Sequence, residues 1–135
     1  MSVFVDTSGI LAVLDERDEH HAAADSCWEE LLRDREALVT TSYVLIEACA
    51  LVQSRLGLSA VRALRDEVHP VFSVEWVTAD LHDLGMDVLL TRQRRRLSLV
   101  DCVSFQAMRF LGITRAFALD HHFAEEGFEV IPRGA

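Results

Sequence analysis

Val3-Phe4-Val5-Asp6-Thr7-Ser8 (VFVDTS, residues 3–8) changes character abruptly at its middle. The first half is continuously apolar and β-rich, the pattern of a strand covered on both faces of a parallel sheet. The second half supplies N-cap chemistry, and a helix from roughly Gly9 to Leu14 follows. The same strand-to-Asp step recurs at Ala116-Phe117-Ala118-Leu119-Asp120. Between the two lie a helix over about 19–33, a short strand over 37–40, and a helix capped by Thr41 or Ser42 that Gly57 ends near Arg55. Ser59 opens a fourth helix. Val71 to Val77 reads as a strand after Pro70, Thr78 caps a helix ending near residues 92–96, and Ser98 opens another that stops at Gly112. Phe128 to Ile131 is the last strand, closed by Pro132. Strands alternating with helices predict an α/β fold with a central, mostly parallel sheet.

The chain has 135 residues, half of them hydrophobic, which suits one domain spanning residues 1–135 with a real core. No apolar run approaches the ~18 residues of a membrane span, so no membrane association is expected. The opening MSVFVDTS lacks a basic segment and turns acidic at Asp6, unlike a signal peptide; the expected location is the cytoplasm. Cys27, Cys49 and Cys102 are odd in number and lack CxxC spacing, which argues against a disulfide framework or a thiolate zinc site. The net charge of −9 is unpromising for a nucleic-acid binder. A carboxylate site loaded with divalent cations nevertheless attracts phosphate, so the sign of the charge decides nothing. Every basic side chain of the Lys/Arg class is arginine. Without lysine there is no P-loop, no Schiff-base chemistry and no receiver-type phosphoryl site.

Four carboxylates stand where the pattern leads one to expect apolar or neutral residues. Asp6 and Asp120 terminate buried strands, and the carboxyl edge of an open α/β sheet is where ligands bind. If the two strands are neighbours, their ends lie about 5 Å apart. Helix capping is the ordinary alternative for each. Glu47 borders the apolar stripe of the third helix, with no arginine three or four residues away; the alternative is a side chain that snorkels to solvent. Asp101 occupies the first turn of a helix that is apolar nearly all round, where Ser98-x-x-Asp101 also fits a capping box. Together, four like charges raise one another's pKa and persist only with a bound cation. Mg²⁺ and Mn²⁺ prefer such oxygen donors, and carboxylate–cation clusters suit phosphodiester hydrolysis by water.

The segments VFVDTS, TSYVLIEA, SLVDCVSFQA and FALDHHF resemble, in the same order, the four acidic motifs of PIN-domain nucleases. The match is nearest to the ribonuclease toxins of VapBC-type toxin–antitoxin pairs and spans nearly the whole chain. Each motif is short, and their specificity comes from the order and the intervening helices. The resemblance implies a PIN-like three-layer α/β/α fold and a Mg²⁺- or Mn²⁺-dependent endoribonuclease. It makes Asp6, Glu47, Asp101 and Asp120 the catalytic and metal-binding set. In that set Asp6 and Asp101 are the principal ligands, Glu47 holds or activates water, and Asp120 completes the site. Thr7 and Ser8 then orient Asp6 or offer N–H groups to phosphate. The implied partners are an RNA substrate, a cognate antitoxin protein and a second copy in a homodimer.

Other features carry weaker signals. Arg92, Arg94, Arg95 and Arg96 form the only dense basic patch, and either hold an RNA backbone or stabilise a helix C-terminus. His20 and His21 read as surface residues. His121 and His122 adjoin Asp120 without qualifying as metal ligands. Tyr43, Leu51, Val52, Leu56, Leu58, Val61 and Leu64 read mostly as core, on helices that the resemblance assigns to dimer and antitoxin contacts. Two other readings stay open: a PIN ribonuclease of RNA processing with no antitoxin, and a non-catalytic interaction module whose carboxylates are caps and surface charges.

Overall fold

The computed structural model describes residues 1–134. Its sheet has five strands, β1 (Ser2–Val5), β2 (Ala37–Thr41), β3 (Phe72–Glu75), β4 (Arg115–Phe117) and β5 (Glu129–Ile131). The order across the sheet is β3-β2-β1-β4-β5, and every pairing is parallel. Val3, Phe4 and Val5 are wholly buried, as a central strand covered on both faces requires.

The helices are α1 (Thr7–Leu14), α2 (His21–Arg33), α3 (Ser42–Leu56), α4 (Leu58–Ala63), α5 (Ala79–Arg92), α6 (Leu99–Leu111) and α7 (His122–Glu125). The chain steps outward from β1 to β2 to β3, then crosses back to β4 and β5 on the other side of β1. Because parallel crossovers are right-handed, this reversal sends the helices to opposite faces and makes the α/β/α layers. The switch between directions falls between β1 and β4, and in open α/β sheets ligands bind at the carboxyl ends of the strands at such a point.

Caps set the helix starts. Thr41, Thr78 and Ser98 each accept a hydrogen bond from the backbone of the following turn, and Asp6 does the same for α1. Gly57 and Gly112, at φ 91° and 70°, end α3 and α6. Two glycines permit close packing. A Cβ on Gly9 would stand 2.8 Å from the Phe117 carbonyl oxygen, so the first turn of α1 lies directly against β4. A Cβ on Gly85 would meet Val103 at 2.5 Å, where α5 crosses α6.

Several boundaries differ from the sequence reading. β3 covers Phe72–Glu75, because Pro70 and Val71 belong to a 3₁₀ turn. β4 ends at Phe117, so Asp120 lies three residues beyond the strand. The four-residue α7 was not expected. On α6, Phe110 is 84% exposed, so this helix is not apolar toward the core on every side.

Candidate active site

Three of the four predicted carboxylates converge at the β1–β4 switch point. Asp6, Asp101 and Asp120 each offer an oxygen, and the three oxygens lie within 4.8 Å of one another. Asp6 and Asp101 are buried and Asp120 is half-buried. Parallel pairing of β1 with β4 in the register Val5↔Phe117 sets the first and third side by side. The Asp6 N–H donates to the Phe117 carbonyl at 3.0 Å and prolongs that ladder.

Each aspartate also makes a local cap. Ser8 N–H and Oγ both donate to Asp6 Oδ2, at 3.2 and 2.7 Å. Ser98 N–H donates to Asp101 Oδ2 at 3.2 Å while Asp101 N–H donates to Ser98 Oγ, a complete capping box. His122 N–H donates to Asp120 Oδ1 at 3.0 Å. Capping and convergence are therefore not alternatives. One oxygen of each carboxylate is fixed by backbone, which aims the whole group and leaves its second oxygen without a protein donor among the described residues. Ser8 also accepts from Leu119 N–H at 2.9 Å, so one hydroxyl ties the Asp6 carboxylate to the loop that leads to Asp120.

The electrostatics of the trio are unfavourable by themselves. Asp6 is pushed up to about 8, first by burial and then by the neighbouring charge of Asp120, against the lowering effect of the Ser8 hydrogen bond. Burial also raises Asp101, offset in part by its bond from Ser98. None of the three has a guanidinium partner among the described residues. Two buried polar atoms nearby in sequence, Thr7 Oγ1 and His122 Nδ1, also lack hydrogen-bond partners there. An all-oxygen, net negative donor set of this kind fits a hard divalent cation, which lowers the mutual repulsion of the carboxylates.

Glu47 is not a member of this group. It is half-buried on α3 and lines an open hollow with Tyr43, Ile46, His82, Leu99 and Val100, beside the turn of α6 that carries Asp101. The basic patch divides. Arg92 and Arg94 pair with Glu126, joined by Arg109, and Arg94 also contacts Glu125. Arg95 and Arg96 are exposed and make no ion pair among the described residues. His21 Nδ1 bonds the Ala12 carbonyl at 2.7 Å, a structural role. His121, His122 and Glu125 also lie within ligating distance of one another, but Glu125 is already held by Arg94. The cysteines are all free, and burial lifts the Cys27 and Cys102 thiols to about 11.

The sequence model of the PIN domain matches residues 3–129. The chain belongs to the PIN-domain family. Its relatives include the 23S rRNA-specific endonuclease VapC20 of Mycobacterium tuberculosis, in strains CDC 1551 / Oshkosh and ATCC 25618 / H37Rv. Identity to each is 36% over 132 residues, 96% of this chain and 98% of the relative. The crystal structure of Mycobacterium tuberculosis VapC20, described there as a Sarcin-Ricin loop cleaving toxin, superposes with a TM-score of 0.81 at 34% identity. That match covers 93% of this chain and 95% of the other. No helix among the described residues is long and apolar enough to cross a membrane.

The sequence did not point to the Tyr43–His82 pair at the rim of the hollow. These residues lie 39 positions apart, and no local pattern joins them.

Proposed function

We propose that this PIN-domain protein is an endoribonuclease that hydrolyses RNA phosphodiesters at the Asp6–Asp101–Asp120 site, and that it is the toxin of a toxin–antitoxin pair. The observation that carries the reading is the convergence of three carboxylates from three separate segments, two with raised pKa and none with a protein cation. Such a constellation has no structural purpose that capping alone would not serve. A bound Mg²⁺ or Mn²⁺ would polarise a phosphate oxygen and lower the pKa of a water molecule. Asp6, Asp101 and Asp120 would hold it.

The chain's own groups do the rest. Ser8, Ser98 and the His122 N–H keep the carboxylates oriented. Glu47, outside the trio on the neighbouring face of α3, would be the acceptor that holds a water and takes its proton. The toxin role and a 23S rRNA substrate are supported by likeness to VapC20 over nearly the full length of both chains. An antitoxin partner, a homodimer and a cytoplasmic location complete the proposal and follow from membership of the toxin family alone.

The test is cleavage of a mixed RNA pool with added Mg²⁺ or Mn²⁺, comparing the wild type with Asp6→Asn and Asp101→Asn, then repeating after chelation. Cutting that requires the cation and both aspartates is the expected result. Cutting that survives in both variants would place the chemistry elsewhere.

A further inference from the structure

We infer that the hollow beside the acidic site is a nucleobase-binding subsite, in which Tyr43 and His82 stack and hold one unpaired base next to the scissile phosphate. The inference rests on the ribonuclease reading and adds to it how the substrate is gripped.

The hollow has a volume of about 320 Å³ and opens between three helices. Tyr43, Ile46 and Glu47 come from one face of α3 at positions i, i+3 and i+4. His82 comes from the first turn of α5. Leu99 and Val100 come from the first turn of α6, directly before Asp101. The hollow and the carboxylate trio therefore share one helix turn, so a chain whose phosphate sits against Asp101 carries its neighbouring base toward Leu99 and Val100.

The lining is suited to a base. Tyr43 hydroxyl and His82 Nδ1 share a hydrogen bond of 2.6 Å, and their rings meet edge to face at 5.8 Å and 77°. This pairing restrains both rings, so little conformational freedom remains to be lost on binding. Ile46 keeps 66% of its surface exposed on the same wall. Tyr43 and His82 are half-buried, and with the exposed edge of Ile46 they give the hollow an aromatic and aliphatic wall beside the carboxylate site, which disfavours a phosphate backbone and suits the π-face of a base. Protein recognition of RNA takes place largely at unpaired bases, splayed out and stacked on such rings.

The probe is a short single-stranded oligoadenylate carrying one 2-aminopurine, titrated in Mg²⁺ with the cleavage-blocked Asp6→Asn protein. Alongside it, the wild type cuts an RNA in which one abasic nucleotide is moved through the positions flanking the cleavage point. Expected are a fluorescence change on binding that Tyr43→Ala and His82→Ala remove, with affinity about tenfold weaker. Tyr43→Phe should keep the stacking. In the cleavage arm one abasic position should raise KM about tenfold with kcat unchanged, and the penalty should vanish in the His82→Ala background. Should Tyr43→Ala not fold, as judged by circular dichroism, Tyr43→Leu and His82→Ala carry the same comparison. Binding unaffected by these substitutions, or no binding at all, overturns the inference, as does an abasic scan without a sensitive position. RNA that binds in the expected way but is never cut leaves the subsite standing and overturns the nuclease reading instead.

Discussion

Two groups of carboxylates sit near α6, and they are built on opposite rules. At the sheet edge, Asp6, Asp101 and Asp120 face one another with no guanidinium among the described residues, and burial raises Asp6 and Asp101. In the other group, Glu126 has a side chain only 7% exposed, but it is met by Arg92, Arg94 and Arg109, and the Arg92 hydrogen bond holds its pKa below the usual value. The second group is complete as the chain folds; the first is not. A protein able to surround one glutamate with three arginines, yet leaving three aspartates unpaired, reserves those aspartates for something that arrives from outside. A divalent cation fits the oxygen donors, and the substrate phosphate then follows the cation.

The comparison breaks most directly at the aspartates. Asp6→Asn or Asp101→Asn should lower cleavage rates by more than about a hundredfold, since even indirect support of a metal ligand is worth 10–100-fold. The measurement is single-turnover cleavage at saturating Mg²⁺. Equal loss in Glu126→Gln would mean that the two groups are not functionally distinct.

Stability should move in the opposite sense. Asp6 has an unfolded value near 3.8 and a folded value of about 8 in the cation-free protein. Between those limits Asp6 holds more proton in the folded state than in the unfolded chain, so its contribution to stability is greatest below pH about 4 and declines as pH rises to about 8. Asp6→Asn removes this dependence. In cation-free buffer at pH 8, its melting temperature should exceed the wild type's by several degrees, roughly 4 °C for each kcal/mol in a chain this size. Adding Mg²⁺ should raise the wild type's Tm by a similar amount at about a hundred times Kd, and should leave the variant almost unmoved. A wild-type stability that rose with pH in this window relative to Asp6→Asn would sink the assignment of Asp6 as a strained, cation-seeking group.

Glu126 should behave as its mirror image. Its pKa is lowered, so its contribution is present above the unfolded value near 4.5 and is lost as pH falls through the folded value. Glu126→Gln should cost roughly 1–2 kcal/mol at neutral pH, discounted because its arginines are 34–40% exposed. Urea denaturation measures this directly, and a neutral result would show that solvent replaces the network.

The carboxylate trio was legible in the sequence because each member ends or begins a regular element. VFVD and FALD announce the end of an apolar strand region, and Ser98-x-x-Asp101 announces a helix start. Such signals are local, and the sheet order does the rest by making β1 and β4 neighbours. What stayed hidden depends on contacts distant in sequence. Nothing around Glu47 shows that its side chain lines the hollow rather than joining the trio. Nothing near residue 92 announces that two of its arginines are taken by Glu126, 34 and 32 positions later. The strand read as ending at Leu119 in fact ends at Phe117, because Leu119 N–H turns to the Ser8 hydroxyl. That bond bridges 111 positions, and it sets the turn that brings Asp120 back over the site.

The division of the arginines yields the smallest effect and a sharp one. Arg92 and Arg94 belong to the completed group, so their loss should act on stability. Arg95 and Arg96, exposed and without ion-pair partners among the described residues, remain free to meet a phosphate backbone. Replacing Arg95 or Arg96 by Ala should weaken RNA binding only a few-fold and leave the melting temperature within about a degree. The diagnostic is salt: each lost phosphate contact to a single strand should lower the slope of log K against log salt by about 0.7. Arg92→Ala should do the reverse, lowering the melting temperature with the slope intact. If Arg92→Ala changes the slope as much as Arg95→Ala, the Glu126 cluster opens when RNA binds, and the two carboxylate groups are less separate than their geometry in the free protein makes them.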